Sequence, residues 1–203
     1  MNLIRRMNTL LLSFLVLLMF SPQTVAHPHS FIDMETTLIT ENQTLTGIEY
    51  VWKMDPMTSA DILYDLMNTK EDSPQWKKQA ESVMANIIAQ AYFSELNYQN
   101  KKQPLKLFPD TYRMTREGLQ IVMSFRVSLL HPIPLAGSTI ELKTYEPTFF
   151  VSMTYNGKRA VHLSPPDASQ CRLVFTEADP SDTLKDYALS LDTGDTPDDD
   201  LTL

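Results

Sequence analysis

The chain has 203 residues, 17 Lys and Arg against 25 Asp and Glu, and a formal net charge of −8 at neutral pH. That balance argues against a nucleic-acid partner, whose phosphates need a basic face. The single cysteine, Cys171, excludes an internal disulfide, and it reads as a small, buried apolar side chain.

The first predicted element is a targeting segment. Arg5 and Arg6 precede the apolar run "TLLLSFLVLLMF", and "SPQTVA" places Thr24 and Ala26 at the −3 and −1 positions of a cleavage site. This layout predicts a secretory signal over residues 1–26, cleaved after Ala26, and hence a periplasmic protein. The run is short of the roughly 20 apolar residues that span a bilayer, so the processed protein is expected not to be membrane-embedded. No cysteine follows the run to carry a lipid. Cleavage removes two basic residues and no acidic one, which moves the formal charge from −8 to −10. The expected domains are the signal (1–26), one α+β domain (27–190) and an acidic, disordered tail (191–203).

"SFIDMETTLIT" and "TLTGIEYVWKM" flank "ENQ" and read as an opening hairpin. Ile48, Tyr50, Trp52 and Met54 alternate onto one face of the second strand. The period then changes. "DPMTSADILYDLMN" spaces Ile62, Leu63, Leu66 and Met67 as a helix, with Pro56 near its start. A second helix is predicted over "SPQWKKQAESVMANIIAQAYFSELNY", capped by Ser73 and striped from Trp76 and Ala80 through Ile87 to Ala91 and Tyr92. Met54, Met57, Met67 and Met84 fall on different faces or elements, so no methionine copper site is expected.

The chain then returns to strands. "KLFPDTYRMT" should pair with "GLQIVMSFRVSLL", in which Leu119, Ile121, Met123, Phe125, Val127 and Leu129 share a face. "HPIPLAGS" reads as a linker, "PPDASQ" as a loop, and "TIELKTYE", "TFFVSMTYNG", "RAVHLS" and "CRLVFT" as further strands. The expected fold class is α+β: an antiparallel, β-sandwich-like sheet with a two-helix insertion. No phosphate-cradling glycine motif, no nucleophile elbow and no H-E-x-x-H is present.

The chemistry concentrates at "AHPHSFID". A new N-terminus at His27 would offer an α-amine and an imidazole from one residue, with a second imidazole at His29. Asp33 could add an oxygen or orient a ring. Pro28 has no N–H to deprotonate, which breaks the square-planar chelate that uses backbone amides. A metal site here therefore needs groups from elsewhere, and Asp33, Asp55, His131 and His162 are the candidates. His131 and His162 also read as satisfied residues at strand ends.

"HPHSFIDM", "LTGIEYVWKMDPMTSADIL", "AYFSELNY" and "YEPTFFVSM" together resemble a periplasmic family of unknown function described as a predicted ABC-type transport system component, which includes ZevA-like zinc-utilisation proteins. The resemblance covers the whole mature chain. It implies an accessory role in transition-metal handling, zinc first and nickel or cobalt next, beside a nickel/cobalt-type inner-membrane permease; the residue chemistry leaves copper possible as well, and the chain is expected not to be an enzyme. Carried onto this sequence, the resemblance implies His27, His29, Asp33 and Asp55 as the metal residues. Two features depart from the family. The calcium-loop-like segment of many relatives is replaced here by "MNTKEDSPQWKK", so no calcium loop is expected. Glu146 stands where many members carry Asp. Two other functions compete with metal handling: a copper oxidase with an N-terminal histidine brace completed by His131 or His162, and a metal-independent envelope interaction module.

Overall fold

The computed structural model describes residues 30–137, 139–147, 150–164 and 171–177. The expected signal segment, His27, His29 and the acidic tail lie outside these residues. The fold is mixed α+β, with two helices inserted between strands. Among the described residues no helix is long and apolar enough to cross a membrane.

Strands β1 (Ser30–Glu41) and β2 (Thr44–Met54) form the expected antiparallel hairpin, paired from Ile32↔Met54 to Ile39↔Gly47 and, past a one-residue bulge, from Thr40↔Leu45 to Glu41↔Thr44. Asn42 and Gln43 both take positive φ, as the tight turn matching strand twist requires. Helices α1 (Pro56–Asp65) and α2 (Pro74–Ala89) follow, then β3 (Ser94–Tyr98), β4 (Lys101–Gln103), β5 (Thr111–Glu117), β6 (Gln120–Pro134), β7 (Ile140–Thr144), β8 (Val151–Tyr155) and β9 (Val161–Leu163). The main sheet has the order β5-β6-β2-β1-β8, with β9 also on β1. A smaller sheet has the order β4-β3-β7. The pairings of β8 and β9 with β1 are parallel, and the other strand pairings are antiparallel.

The alternation read from β2 decides the layering. Ile48, Tyr50, Trp52 and Met54 are buried, and their neighbours across the ladders, including Met34, Met123, Phe125 and Val127, are buried with them. The rings interlock: Phe125 stacks on Tyr50 at 5.0 Å and meets the edge of Trp52 at 4.9 Å. Trp76, Ala80, Met84 and Ile87 of α2 and Leu96 of β3 complete the same core. The opposite face carries Asp33, Glu35 and Glu49, all exposed. At Gly47 a Cβ would meet the carbonyl of Val127 at 3.0 Å, so the close approach of β6 favours glycine there.

Helix α1 is fastened by a buried hydroxyl. Ser59 Oγ donates to the carbonyl of Met54 (3.4 Å) and accepts from the amide of Ile121 (2.9 Å). One side chain thus satisfies backbone groups at the end of β2 and the start of β6 that the ladder leaves open.

Four elements differ from the sequence reading. Helix α2 stops at Ala89, and "SELNY" is strand β3. Between them Ala91, Tyr92 and Phe93 take φ of 48°, 60° and 49°, a single left-handed turn without glycine. Such backbone costs about 1–2 kcal/mol per residue. The turn offsets that cost by placing two rings in the core. Tyr92 stacks on Phe125 at 6.0 Å and donates its hydroxyl to the carbonyls of Lys106 (3.1 Å) and Leu107 (2.9 Å), while Phe93 meets Trp52 at 5.9 Å. A continuing helix would have left the Tyr92 hydroxyl to find another partner. Second, "HPIP" is the end of β6 rather than a linker, because Thr44 and Leu45 pair with Pro134 and Ile133. Third, Leu119 sits in the β5–β6 turn and is exposed, off the face it was assigned to. Fourth, "CRLVFT" pairs in no sheet among the described residues, and Phe175 instead meets the edge of Tyr155 at 6.1 Å.

Ala91 is exposed and gains nothing from its side chain. Ala91→Gly should therefore raise stability by about 0.5–1 kcal/mol, the αL penalty less the extra entropy of glycine. Urea unfolding of the variant measures this. A loss of stability would mean that the left-handed turn is not the ground state.

Candidate functional site

The residues nearest in sequence to the His-Pro-His segment are those that start β1, and they are held by two carboxylates. Asp55 is the first. It lies between β2 and α1, in extended conformation, and caps the helix: its Oδ1 accepts from the amides of Met57 (2.8 Å) and Thr58 (3.2 Å). Its Oδ2 accepts from the amide of Phe31 (2.9 Å) and from the Thr58 hydroxyl. The Asp55 amide in turn donates to the carbonyl of Phe31 (2.9 Å). Two strands and a helix thus meet at one side chain. Burial alone would raise the Asp55 pKa, but the donors from Thr58, Phe31 and Met57 outweigh it and bring it down to about 2. A carboxylate has about four acceptor positions, and here four donors occupy them. The geometry is that of a helix cap and strand tie.

Glu146 is the second carboxylate. Its Oε2 accepts from the amides of Phe150 (2.8 Å) and Val151 (3.4 Å), at the start of β8. The carbonyl of Phe150 accepts from the amide of Ser30 (3.3 Å), so β8 is brought alongside β1 where β1 begins. Glu146 therefore organises the same corner as Asp55. The sequence signal for this role was a Glu and a Pro placed just ahead of a β-rich run, which reads as a loop that a carboxylate can close.

Asp33 differs from both. It is exposed, and one oxygen accepts from the Thr154 hydroxyl at 3.2 Å. Lys53 stands opposite it in register, but the Lys53 ammonium pairs with Glu117 at 2.6 Å. The second oxygen of Asp33 has no partner among the described residues. Thr154 is the neighbour that sequence reasoning missed, because parallel pairing of β8 with β1 leaves no local pattern.

His131 and His162 are both exposed and both stand away from this corner. His162 pairs with Thr37, seven residues along β1 from Ser30, which is about 23 Å at strand rise. His131 lies at the hairpin end of the sheet, near the pairing of Leu45 with Ile133. Residues 27 to 29 extend at most about 10 Å from Ser30, well short of either ring's strand position. Among the described residues no three His, Cys, Asp or Glu side chains converge to hold a metal ion.

Residues 12–202 match the model of a family described as a protein of unknown function, DUF1007. The chain belongs to this family. An uncharacterised protein of Haemophilus influenzae is 37% identical over 189 residues, covering 93% of this chain and 91% of the relative. No solved structure matches. In this DUF1007 member the match spans the His-Pro-His segment, Asp33, Asp55 and the "YEPTFF" corner together.

Asp55→Ala should destabilise the protein by about 1–2 kcal/mol, the usual cost of a lost helix cap. A carboxylate held below its unfolded pKa stabilises the fold above about pH 4, and that contribution drains away as pH falls through about 2. The stability gap between wild type and Asp55→Ala should thus be constant from pH 7 to pH 5 and narrow by pH 3. Urea unfolding at these values checks it. An unchanged gap at pH 3 would mean that the four donors do not hold the charged form.

Proposed function

We propose that this protein is an exported, periplasmic carrier of a transition metal, zinc in the first instance, that serves an inner-membrane permease of the nickel/cobalt type without itself being an enzyme. The observation that carries the reading is the position of His27 and His29. They follow the expected signal cleavage site and stand three residues and one residue before a strand anchored at Ser30 and Phe31. Cleavage after Ala26 supplies an amine and two imidazoles on a short tether. Asp33, with an oxygen to spare, is the fourth donor of this reading. Asp55 takes the part of the tie that fixes where the tether leaves the domain.

The cargo follows from the donor set. Nitrogen donors with one carboxylate suit zinc, and they also suit nickel, cobalt and copper. Donors that sit next to one another at a chain terminus favour a site that loads and unloads, as delivery requires, over a closed structural site. With Arg5 and Arg6 removed, a formal charge of −10 modestly concentrates cations around the chain.

Calorimetric titration of the exported protein with zinc, nickel and copper tests this reading, paired with N-terminal sequencing of the same sample. The expected result is a chain starting at His27 that binds zinc in the micromolar range or tighter, about 8 kcal/mol. The double variant His27→Ala, His29→Ala should bind at least about tenfold more weakly, and Asp33→Asn should show a smaller loss. Asp55→Asn should leave affinity close to wild type. Millimolar affinity, or affinity indifferent to the two histidines, would overturn the metal-carrier function.

A further inference from the structure

Helix α1 has two apolar faces, and the fold uses one. At about 100° per residue, Ser59, Ile62, Leu63 and Leu66 point to the core side, where Ser59 and Leu66 are buried. On the other side Met57, Ala60 and Tyr64 fall within an arc of about 60°, and Met67 follows just past the helix end. All four are exposed: Met57 at 81%, Tyr64 at 75% and Met67 at 64% among them. Met67 follows the cap residue Leu66 in a turn, tied back to the helix by its amide, which donates to the carbonyl of Tyr64 at 3.3 Å. The spacing of three and four residues is that of a stripe that meets another helix.

The charges beside the stripe are one-sided. Asp61 and Asp65 border it, about 40–80° round the helix from Met57, and both are exposed. Neither forms an ion pair among the described residues, where the acidic partners of the salt bridges are other residues. A lone apolar residue on a surface needs no explanation. A helix-spaced stripe with two adjacent unpaired carboxylates is a patterned surface, and it has a complement. The residue types also fit a docking face, since methionine adapts to varied partners and tyrosine is enriched among residues that dominate binding.

The geometry points to α1 as a docking helix for a partner protein's amphipathic helical segment, apolar along one stripe and bearing Lys or Arg along the border that meets Asp61 and Asp65. The acidic border disfavours two competing occupants. A second copy would bring the same carboxylates against these, and an anionic lipid surface would repel them. This inference stands on α1 alone and holds whether or not the terminal histidines carry metal.

The test titrates the exported protein with a fluorescent peptide of about 16 residues, leucine on one stripe and lysine along the borders, and with its counterpart carrying glutamate for every lysine. The expected result is saturable binding of the lysine peptide and binding of the glutamate peptide at least about tenfold weaker. Tyr64→Glu and Met67→Ser should each weaken the lysine peptide by about tenfold or more, with an unchanged melting temperature because both sites are exposed. Asp61→Lys with Asp65→Lys should reverse the preference between the two peptides. Equal binding of both peptides, or binding indifferent to Tyr64 and Met67, would overturn the proposal. So would a dimer in sedimentation that Tyr64→Glu dissolves, which makes a second copy the occupant. Tyr64-dependent binding to phosphatidylglycerol vesicles would overturn it in favour of lipid.

Discussion

Burial of a single face of the main sheet is the constraint from which the other placements follow. The inner faces of β2 and β6 carry Tyr50, Trp52, Phe125 and Met123, and such rings have to leave water together. The helix α2, the β3 strand and the left-handed turn between them all contribute residues to that core, so they lie on that side. The other face is left to Asp33, Glu35, Glu49 and their neighbours. A one-residue slip of β2 against β1 would exchange these sets. Two devices pin the register: the tight turn at Asn42 and Gln43, and the close passage of Gly47 under Val127.

The same constraint explains where a local pattern gives way. Ala91 and Tyr92 continue the apolar stripe of α2, and intrinsic propensity favours more helix. The core instead needs a ring against Phe125 and another against Trp52, and the chain has to turn back to supply β3. Tertiary packing outweighs helix propensity of a few tenths of a kcal/mol per residue, and three strained residues record the conflict. No residue type marks such a turn when glycine and asparagine are both missing from it.

Legibility from sequence follows the range of the interactions. The β1–β2 hairpin, the cap of α2 by Ser73 and the pairing of β5 with β6 rest on neighbours in the chain, and their residues announce them. The α+β class follows from the change of period alone. The parallel addition of β8 and β9 to β1 joins segments more than a hundred residues apart, and alternation looks the same in parallel and antiparallel strands. Prolines misled at "HPIP". They stand where β6 outruns most of its partners, at strand-end positions that tolerate a missing donor. Ser59 was equally silent, because a small polar residue in a helix gives no sign that both its hydrogen bonds go to strands.

Carboxylates show the limit of reading a site from residue type and spacing. Asp33 and Asp55 stand near the same histidines in sequence and are chemically alike. One has an oxygen without a partner among the described residues, and the other has four donors on its two oxygens. A metal taking Asp55 would have to break a helix cap and release Phe31 from the corner, and the low pKa of Asp55 measures how firmly those donors hold the charge. The same bonds make Asp55 useful without coordination. With Phe31 tied to Asp55 and Ser30 tied to Phe150, the start of β1 is held from two sides, between β2 and β8.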